Sequence, residues 1–173
     1  KRLIDSLLYI NIKKEGKYQY HFEEVDVGEI ITDSMEKMKV HTEGKDVDIS
    51  IDIQNISSLI YGDRDRLTNV FLNILDNASK FTHGSGKIKI TLKEEGKFIH
   101  IKIKDNGIGM PKEKLPRIFD MFYQIDGSTT RIYNGVGLGL HICKKVIDIH
   151  NGSIWARSME GLGTTVHVKL PKT

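Results

Sequence analysis

Residues 67–82, LTNVFLNILDNASKFT, are the most regular stretch of this sequence. Their apolar residues recur at i, i+3, i+4, i+7, i+8 and i+11, which is the spacing of one face of an α-helix. These residues are Leu67, Val70, Phe71, Ile74, Leu75 and Ala78. Asn73, Asn77 and Lys80 lie at i, i+4 and i+7 and form a polar stripe beside them. The stretch therefore predicts a helix that buries one face and presents two amides and an ammonium along another.

The segments around this helix alternate between strands and helices. Residues 47–53 alternate apolar with polar side chains, and residues 87–94 and 98–104 do the same around a turn at Glu95-Gly96. The other predicted elements are a strand within residues 18–25, a helix over residues 26–40 that Asp26 and Glu29 cap, a helix over residues 138–150, and strands over residues 153–157 and 164–170.

Because the predicted strands have one apolar and one polar face, they fit a sheet that is covered on one side only. We therefore expect an α+β fold, a two-layer α/β sandwich in which helices pack on one face of a mixed, mostly antiparallel sheet. A doubly wound parallel sheet would need strands that are apolar on both faces, and these strands are not.

The composition is that of an ordinary soluble domain. Of the 173 residues, 39% are hydrophobic and 28% are charged, and no apolar run approaches the ~18 residues that span a bilayer. The net charge of +3 is small and its lysines and arginines are spread along the chain, so we expect no nucleic-acid partner. Cys143 is the single cysteine, so it forms no internal disulfide and is predicted to be a buried thiol.

The polar stripe has two interpretations. An amide oxygen is a suitable neutral ligand for Mg²⁺ and a lysine ammonium suits phosphate oxygens, so Asn73, Asn77 and Lys80 would fit a nucleotide site. Taken alone, a solvated helix face is the more ordinary explanation of the same residues. The neighbouring motifs decide between the two.

Two glycine-rich motifs follow the stripe. Residues 105–110, DNGIGM, come directly after a strand, where alternate glycines let the backbone approach a flat ligand and Asp105 can accept a hydrogen bond from an exocyclic amine. Residues 135–140, GVGLGL, enter a helix whose free N–H groups form an anion site. Taken singly, each is explained as well by an ordinary turn or loop. The second does not follow a strand directly, which argues against a dinucleotide fingerprint or a Walker loop.

Together and in this order, the three motifs resemble the ATP-binding domain of sensor histidine kinases, which belong to a larger family with DNA gyrase and heat-shock chaperone ATPases. The resemblance covers residues 26–171 and includes Phe119, Phe122, the DRDRL segment at residues 63–67 and the GLGT segment at residues 161–164. It implies the Bergerat-type ATP-binding fold, with ATP and Mg²⁺ as cofactors.

The resemblance also implies roles for individual residues. Asn77 would bind Mg²⁺, with Asn73 and Lys80 near the phosphates as catalytic residues. Asp105 would accept the adenine amine and Thr164 would assist through water. The full set of nucleotide contacts that it implies is Asn73, Asn77, Lys80, Phe81, Asp105, Gly107, Ile108, Gly109, Met110, Phe122, Tyr123, Gly135, Val136, Gly137, Leu138, Gly139, Leu140 and Thr164.

Residues 123–134 resemble the lid that closes over ATP in these kinases. Gln124 stands where many relatives carry Arg or Lys toward the γ-phosphate, and Arg131 is the candidate that would replace that cation as a catalytic residue. An exposed loop arginine is the other interpretation of Arg131.

Residues 1–16 resemble the end of a dimerisation helix and its linker, so we expect the catalytic domain over residues 17–173. None of the seven histidines carries the acidic, apolar and Thr-Pro pattern of a phosphoacceptor box, and His21, His83 and His150 are predicted to lie at the surface or in turns. The resemblance implies as partners the dimerisation and phosphoacceptor domain of the same kinase and a response regulator receiver domain. It further implies a homodimeric full-length protein with this domain in the cytoplasm, whether or not that protein is anchored in a membrane.

Two other activities compete with phosphorylation of a histidine. A hydrolytic member of the family needs a general base for water, and in those ATPases a Glu one helical turn before the Mg²⁺-binding Asn fills that role. Asn73 occupies that position here, and a neutral amide cannot take a proton. A neutral imidazole attacks without prior deprotonation, so a kinase is favoured over an ATPase. A nucleotide-binding module without chemistry is the remaining alternative, although the named contact positions carry the expected residue types.

Overall fold

The computed structural model describes residues 19–41, 47–54, 56–82, 85–125 and 136–173. The elements in these ranges are β1 (Glu23–Asp26), α1 (Val27–His41), β2 (Val47–Ile53), β3 (Leu59–Gly62), α2 (Arg64–Lys80), β4 (Gly86–Glu95), β5 (Phe98–Asp105), a 3-10 helix (Lys112–Arg117), α3 (Gly139–Ile149), β6 (Ser153–Met159) and β7 (Gly163–Pro171). Of the described helices, none is long and apolar enough to cross a bilayer.

The main sheet has five strands in the order β2-β4-β5-β7-β6. The β2 and β4 strands are parallel, and the other three pairs are antiparallel. Strands β1 and β3 form a separate antiparallel ribbon. The mixed, mostly antiparallel sheet confirms the predicted fold class.

The core lies between this sheet and the helices. The inward residues of β4 and β5 are almost fully buried: Ile88, Ile90, Leu92, Ile99, Ile101 and Ile103. All six apolar residues of the α2 stripe are buried against them, together with residues of α1 and α3. The alternation along the strands and the helical repeat along α2 therefore predicted the two packed faces correctly.

Side-chain caps place the starts of two helices. The carboxylate of Asp26 accepts hydrogen bonds from the backbone N–H groups of Gly28 at 2.7 Å and Glu29 at 3.2 Å, as the capping pattern predicts. Asp63 accepts one from Arg66 N at 3.0 Å, so α2 begins at Arg64, three residues before its apolar repeat does.

Two elements were not predicted. The short strand β3 and the 3-10 helix were missed because four or six residues are too few to establish a period. His150, predicted to lie at the surface or in a turn, lies in the turn that follows α3, and it is only 2% exposed. His21 is exposed as predicted. His83 and the segment resembling a dimerisation helix lie outside the described residues.

Candidate active site

The polar stripe of α2 meets the start of α3. A Cβ added to Gly139, the first residue of α3, would lie 3.7 Å from Oδ1 of Asn73. One turn further along α3, burial raises the pKa of the Cys143 thiol to about 12, although a hydrogen bond with the Asn73 side chain acts in the opposite direction. The predicted buried thiol is confirmed, and the stripe lies next to the helix that the GVGLGL motif enters.

Lys80 and Asp76 form an ion pair within the stripe. Lys80 Nζ lies 2.5 Å from Asp76 Oδ2, and both side chains are about one-third exposed or less. The two residues are one helical turn apart, at i and i+4. Asn77 lies between them in sequence and is half-buried. The stripe therefore presents two neutral amides beside a cation whose charge a carboxylate already balances.

Asp105 lies at the end of β5 and is 6% exposed. Its Oδ1 atom accepts hydrogen bonds from the backbone N–H groups of Gly107 at 2.9 Å and Thr164 at 3.0 Å. Burial raises the pKa of this carboxyl, and the two hydrogen bonds act in the opposite direction. Both of these hydrogen bonds fall on Oδ1, so Oδ2 is the oxygen that we expect a ligand donor to contact.

The backbone after Asp105 packs against two other segments at very short range. A Cβ added to Gly107 would lie 2.3 Å from the carbonyl oxygen of Phe81, and Ile108 N donates to that oxygen at 3.0 Å. Gly109 has φ +64°, and a Cβ there would lie 2.0 Å from the carbonyl oxygen of Met159. Only glycine satisfies both constraints, because other residues place an atom where the neighbouring backbone lies.

Ser158 completes this end of the site, although none of the three sequence motifs includes it. Its hydroxyl accepts from Met110 N at 2.9 Å, donates to the Gly163 carbonyl at 2.9 Å and lies 3.0 Å from Thr164 Oγ1. In the β6-β7 pair Ser158 is opposite Thr164. Pairing the two predicted strands so that residue 158 lies opposite Thr164 would have indicated Ser158 as a site residue.

The segment that follows the 3-10 helix contacts the second glycine motif, GVGLGL. Phe122 has φ +62° and is 57% exposed, and its backbone N donates to Gly137 O at 3.0 Å. The Arg117 guanidinium lies 4.5 Å from the centre of the Tyr123 ring. Within the same motif Leu138 is buried and Val136 is exposed.

The structure thus places most of the predicted residues that it describes in two groups. Asp105, Gly107, Ile108, Gly109, Met110, Phe81 and Thr164 meet at the end of β5, and Asn73, Asn77, Lys80, Gly137, Leu138, Gly139 and Leu140 lie along α2 and at the start of α3. Phe81, at the end of α2, joins the groups through Ile108. Arg131, Gly135 and most of the predicted lid lie outside the described residues, and Gln124 is exposed.

The family model of histidine kinase-, DNA gyrase B- and HSP90-like ATPases matches residues 62–173. The chain belongs to this family. The match begins at the end of β3 and includes all three motifs, so the predicted family is confirmed. Both residue groups therefore lie within an ATP-binding domain of this family.

Sensor proteins are among the relatives of this ATPase domain. It is 42% identical to the methyl sulfide methyltransferase-associated sensor of Methanosarcina acetivorans, over 99% of this chain and 17% of that protein. It is 36% identical to the sensor protein kinase WalK of Staphylococcus aureus, over 98% of this chain and 28% of that protein. The chain thus spans less than a third of the length of these two relatives.

Solved structures of histidine kinases share the fold. The mycobacterial sensor histidine kinase MprB superposes with a TM-score of 0.76 at 27% identity, over 87% of this chain and 97% of that chain. Histidine kinase ThkA in complex with response regulator protein TrrA superposes with a TM-score of 0.78 at 28% identity, over 99% of this chain and 48% of that chain. This chain is accordingly an ATP-binding catalytic domain of the histidine kinase type.

Proposed function

We propose that this domain binds Mg-ATP and transfers the γ-phosphoryl group to a histidine on the dimerisation domain of the same kinase, for relay to a response regulator. The observation that carries the proposal is Asn73, a neutral amide beside the start of α3, at the position where hydrolytic relatives need a base. The carboxylate nearest to it along the stripe, Asp76, is paired with Lys80.

Asp105 would select the base. Its Oδ1 atom is held by Gly107 and Thr164, so the other carboxylate oxygen is available to the adenine 6-amino group. Because Asp105 is buried, a hydrogen bond from the ligand would stabilise its carboxylate, since a buried charge without enough hydrogen bonds is costly. Water between Thr164 and the base would add a second contact.

Asn77 and the start of α3 would hold the phosphates. No group of three or more His, Cys, Asp or Glu side chains that could hold a metal occurs among the residues with described positions. Mg²⁺ fits the site nonetheless, because it is often bound by one or two protein oxygens together with phosphate oxygens and water. Asn77 would supply such an oxygen, and bound Mg²⁺ would neutralise charge on the phosphates. The backbone N–H groups at the start of α3 would bind phosphate oxygens.

Transfer to an imidazole requires no base from this domain. The attacking nitrogen carries a lone pair when the ring is neutral, so the domain needs to position the γ-phosphate and stabilise its charge. We assign that stabilisation to Lys80 and Arg131. An ATPase would need a proton acceptor for water, and the amides of the stripe cannot be one.

The proposal includes the arrangement of the whole protein. Residues 1–16 would be the end of the dimerisation helix and residues 17–173 the catalytic domain. A full-length homodimer, with this domain in the cytoplasm, would place the acceptor histidine within reach. The ThkA structure in complex with TrrA supports a response regulator as the next partner.

Incubation of the 173-residue chain with labelled ATP tests the proposal. We expect no label on the chain alone and acid-labile label on a separately added dimerisation domain that carries the acceptor histidine. Asn77→Ala should abolish that transfer, and Asn69→Ala should not. Asn69 is the same residue type on α2, about 12 Å nearer its start. Rapid release of phosphate without any acceptor would instead indicate an ATPase.

A further inference from the structure

Helices α2 and α3 pack side by side in opposite directions, and they approach each other at three levels, two of which are hydrogen bonds. At the start of α2, Asp63 N donates to Nε2 of His150 at 2.9 Å. In the middle, the Cys143 thiol donates to Val70 O at 3.6 Å. At the level of the active site, Asn73 lies beside Gly139. His150 is thus at the end of the helix pair remote from the nucleotide.

Both nitrogens of the His150 ring are used. Nδ1 donates to Val146 O at 2.7 Å, so Nε2 carries the lone pair that accepts from Asp63 N. The ring is 2% exposed and its centre lies 4.8 Å from that of Phe22, which precedes β1. Both bonds form together only when the ring is neutral.

We propose that His150 is a positioning residue of the nucleotide site, because its neutral ring sets how far α3 lies along α2. This inference rests on the proposed function. The start of α3 would hold the phosphates and α2 would supply Asn73 and Asn77, so the axial position of one helix against the other sets the distance between the two halves of the phosphate site.

A directional bond suits this role better than the apolar contacts do. Apolar side chains such as Leu67, Val146 and Ile147 are buried and favour contact between elements, but their attraction is non-directional. A hydrogen bond fails when donor and acceptor move apart by about 1 Å. A shift of α3 by one residue is about 1.5 Å, enough to break the bond from Asp63 N to His150. The Cys143 contact is a weak S–H bond and adds little direction.

Protonation of His150 would remove the bond. A proton on Nε2 would face the N–H of Asp63, so two donors would oppose each other. Burial lowers the pKa of His150, and the Asp63 carboxylate acts in the opposite direction. Of the charged groups around the ring, the Asp63 carboxylate acts on its pKa. The elements packed around the ring also carry Tyr20, His21, Glu23, Glu24, Tyr61, Arg64, Asp65, Arg66, Lys144, Lys145 and Asp148. Because the pKa is lowered, the contribution of the neutral ring to the free energy of unfolding is complete above the ordinary value of about 6.5 and is lost as the pH falls from there through the lowered pKa. The bond from Asp63 N itself is kept until the pH falls below the lowered pKa.

Two substitutions separate the bond from the bulk of the ring. His150→Gln can place an acceptor oxygen near the position of Nε2 and does not titrate. His150→Phe keeps an aromatic ring against Phe22 but leaves Asp63 N–H without an acceptor. Calorimetric titration of the 173-residue chain with Mg-ATP and with AMP at about pH 7.5 compares both variants with wild type. Chemical denaturation at about pH 7.5 and about pH 5.5 compares the stability of wild type and His150→Gln on either side of the ordinary histidine pKa.

We expect His150→Gln to bind Mg-ATP within about threefold of wild type at the higher pH, and His150→Phe to bind it at least about tenfold more weakly. AMP affinity should change little, because the base group at Asp105 does not include α3. The ratio of the wild-type to the His150→Gln unfolding equilibrium constant should rise by up to about tenfold at the lower pH, because the unfolded ring titrates at its ordinary pKa and the folded ring below it. Protonation of Asp105 and of the other titratable groups occurs in both proteins and cancels in this ratio.

The inference is overturned if His150→Phe binds Mg-ATP as wild type does, if AMP weakens as much as ATP, or if the pH ratio stays constant. Should circular dichroism show that His150→Phe is unfolded, the comparison of wild type with His150→Gln across pH still decides. A wild-type chain that binds no Mg-ATP at all would overturn the proposed function instead.

Discussion

The base end and the phosphate end of this site are built in different ways. At the base end, Asp105 is held by the backbone N–H groups of Gly107, two residues further along the chain, and of Thr164, 59 residues further along, and glycine backbone lies directly on other backbone. At the phosphate end, side chains on α2 face the start of α3, and the Lys80 cation is paired with Asp76. The base end is thus formed before the ligand binds, and the phosphate end depends on side chains and on the axial position of two helices.

Gly109→Ala should break the base end most severely. A Cβ there would overlap Met159 O, and the positive φ of Gly109 is strained for alanine, so we expect the free energy of unfolding to fall by at least about 2 kcal/mol. ATP affinity should fall at least about 100-fold in the fraction that folds. Chemical denaturation and calorimetry measure the two effects. Gly96→Ala is the matched control. Gly96 also has a positive φ, but an added Cβ there would have no described atom within 4 Å, so ATP affinity should stay unchanged.

Asp105→Asn should separate base recognition from stability. Because the pKa of Asp105 is raised, its charged form costs stability as the pH rises through that pKa, so the variant should melt at the same or a higher temperature at neutral pH. Its ATP affinity should fall at least about tenfold. The Asn side chain would present to the adenine amine either its own NH2 group, which is a donor, or its neutral carbonyl oxygen, which is a weaker acceptor than a carboxylate.

The wild-type chain should also prefer ATP to GTP by at least about tenfold, because guanine presents a carbonyl oxygen to the Asp105 carboxylate. Titration of both nucleotides against wild type, Asp105→Asn and Asp105→Ala measures this preference. Equal affinities for ATP and GTP in the wild type would remove Asp105 from the base site.

Asn77→Ala should affect the phosphate end alone. We expect Mg²⁺-dependent ATP affinity to fall about tenfold while the melting temperature stays near wild type, because Asn77 is outside the apolar stripe. Leu75→Ala on the buried side of α2 should lower the free energy of unfolding by roughly 2–5 kcal/mol. Thermal melts and titrations with and without Mg²⁺ check both. A strongly destabilised Asn77→Ala chain with normal affinity would contradict the role of the stripe.

Sequence patterns predicted most of the fold because they report local constraints. The apolar repeat of α2 identified six buried residues, and alternation identified the inward faces of β4 and β5. The strand β3 was missed because its four residues cannot show a period and are held by pairing with β1. His150 lies in a turn, as one of its two predicted alternatives has it, but its burial was not predicted, because a polar residue after a helix is usually exposed and here two backbone partners satisfy its ring.

By itself the sequence determined the helices and the main strands, the apolar faces, the three motifs and the family, since each depends on residues that are close in the chain. Even the pair of Lys80 with Asp76 is a local i,i+4 spacing. Only the tertiary structure decided that Thr164 N bonds Asp105, that Ser158 joins Met110 to Gly163, and that His150 accepts from Asp63 N. These contacts join segments that are distant in sequence, and strand register and helix packing bring them together, so no local pattern records them.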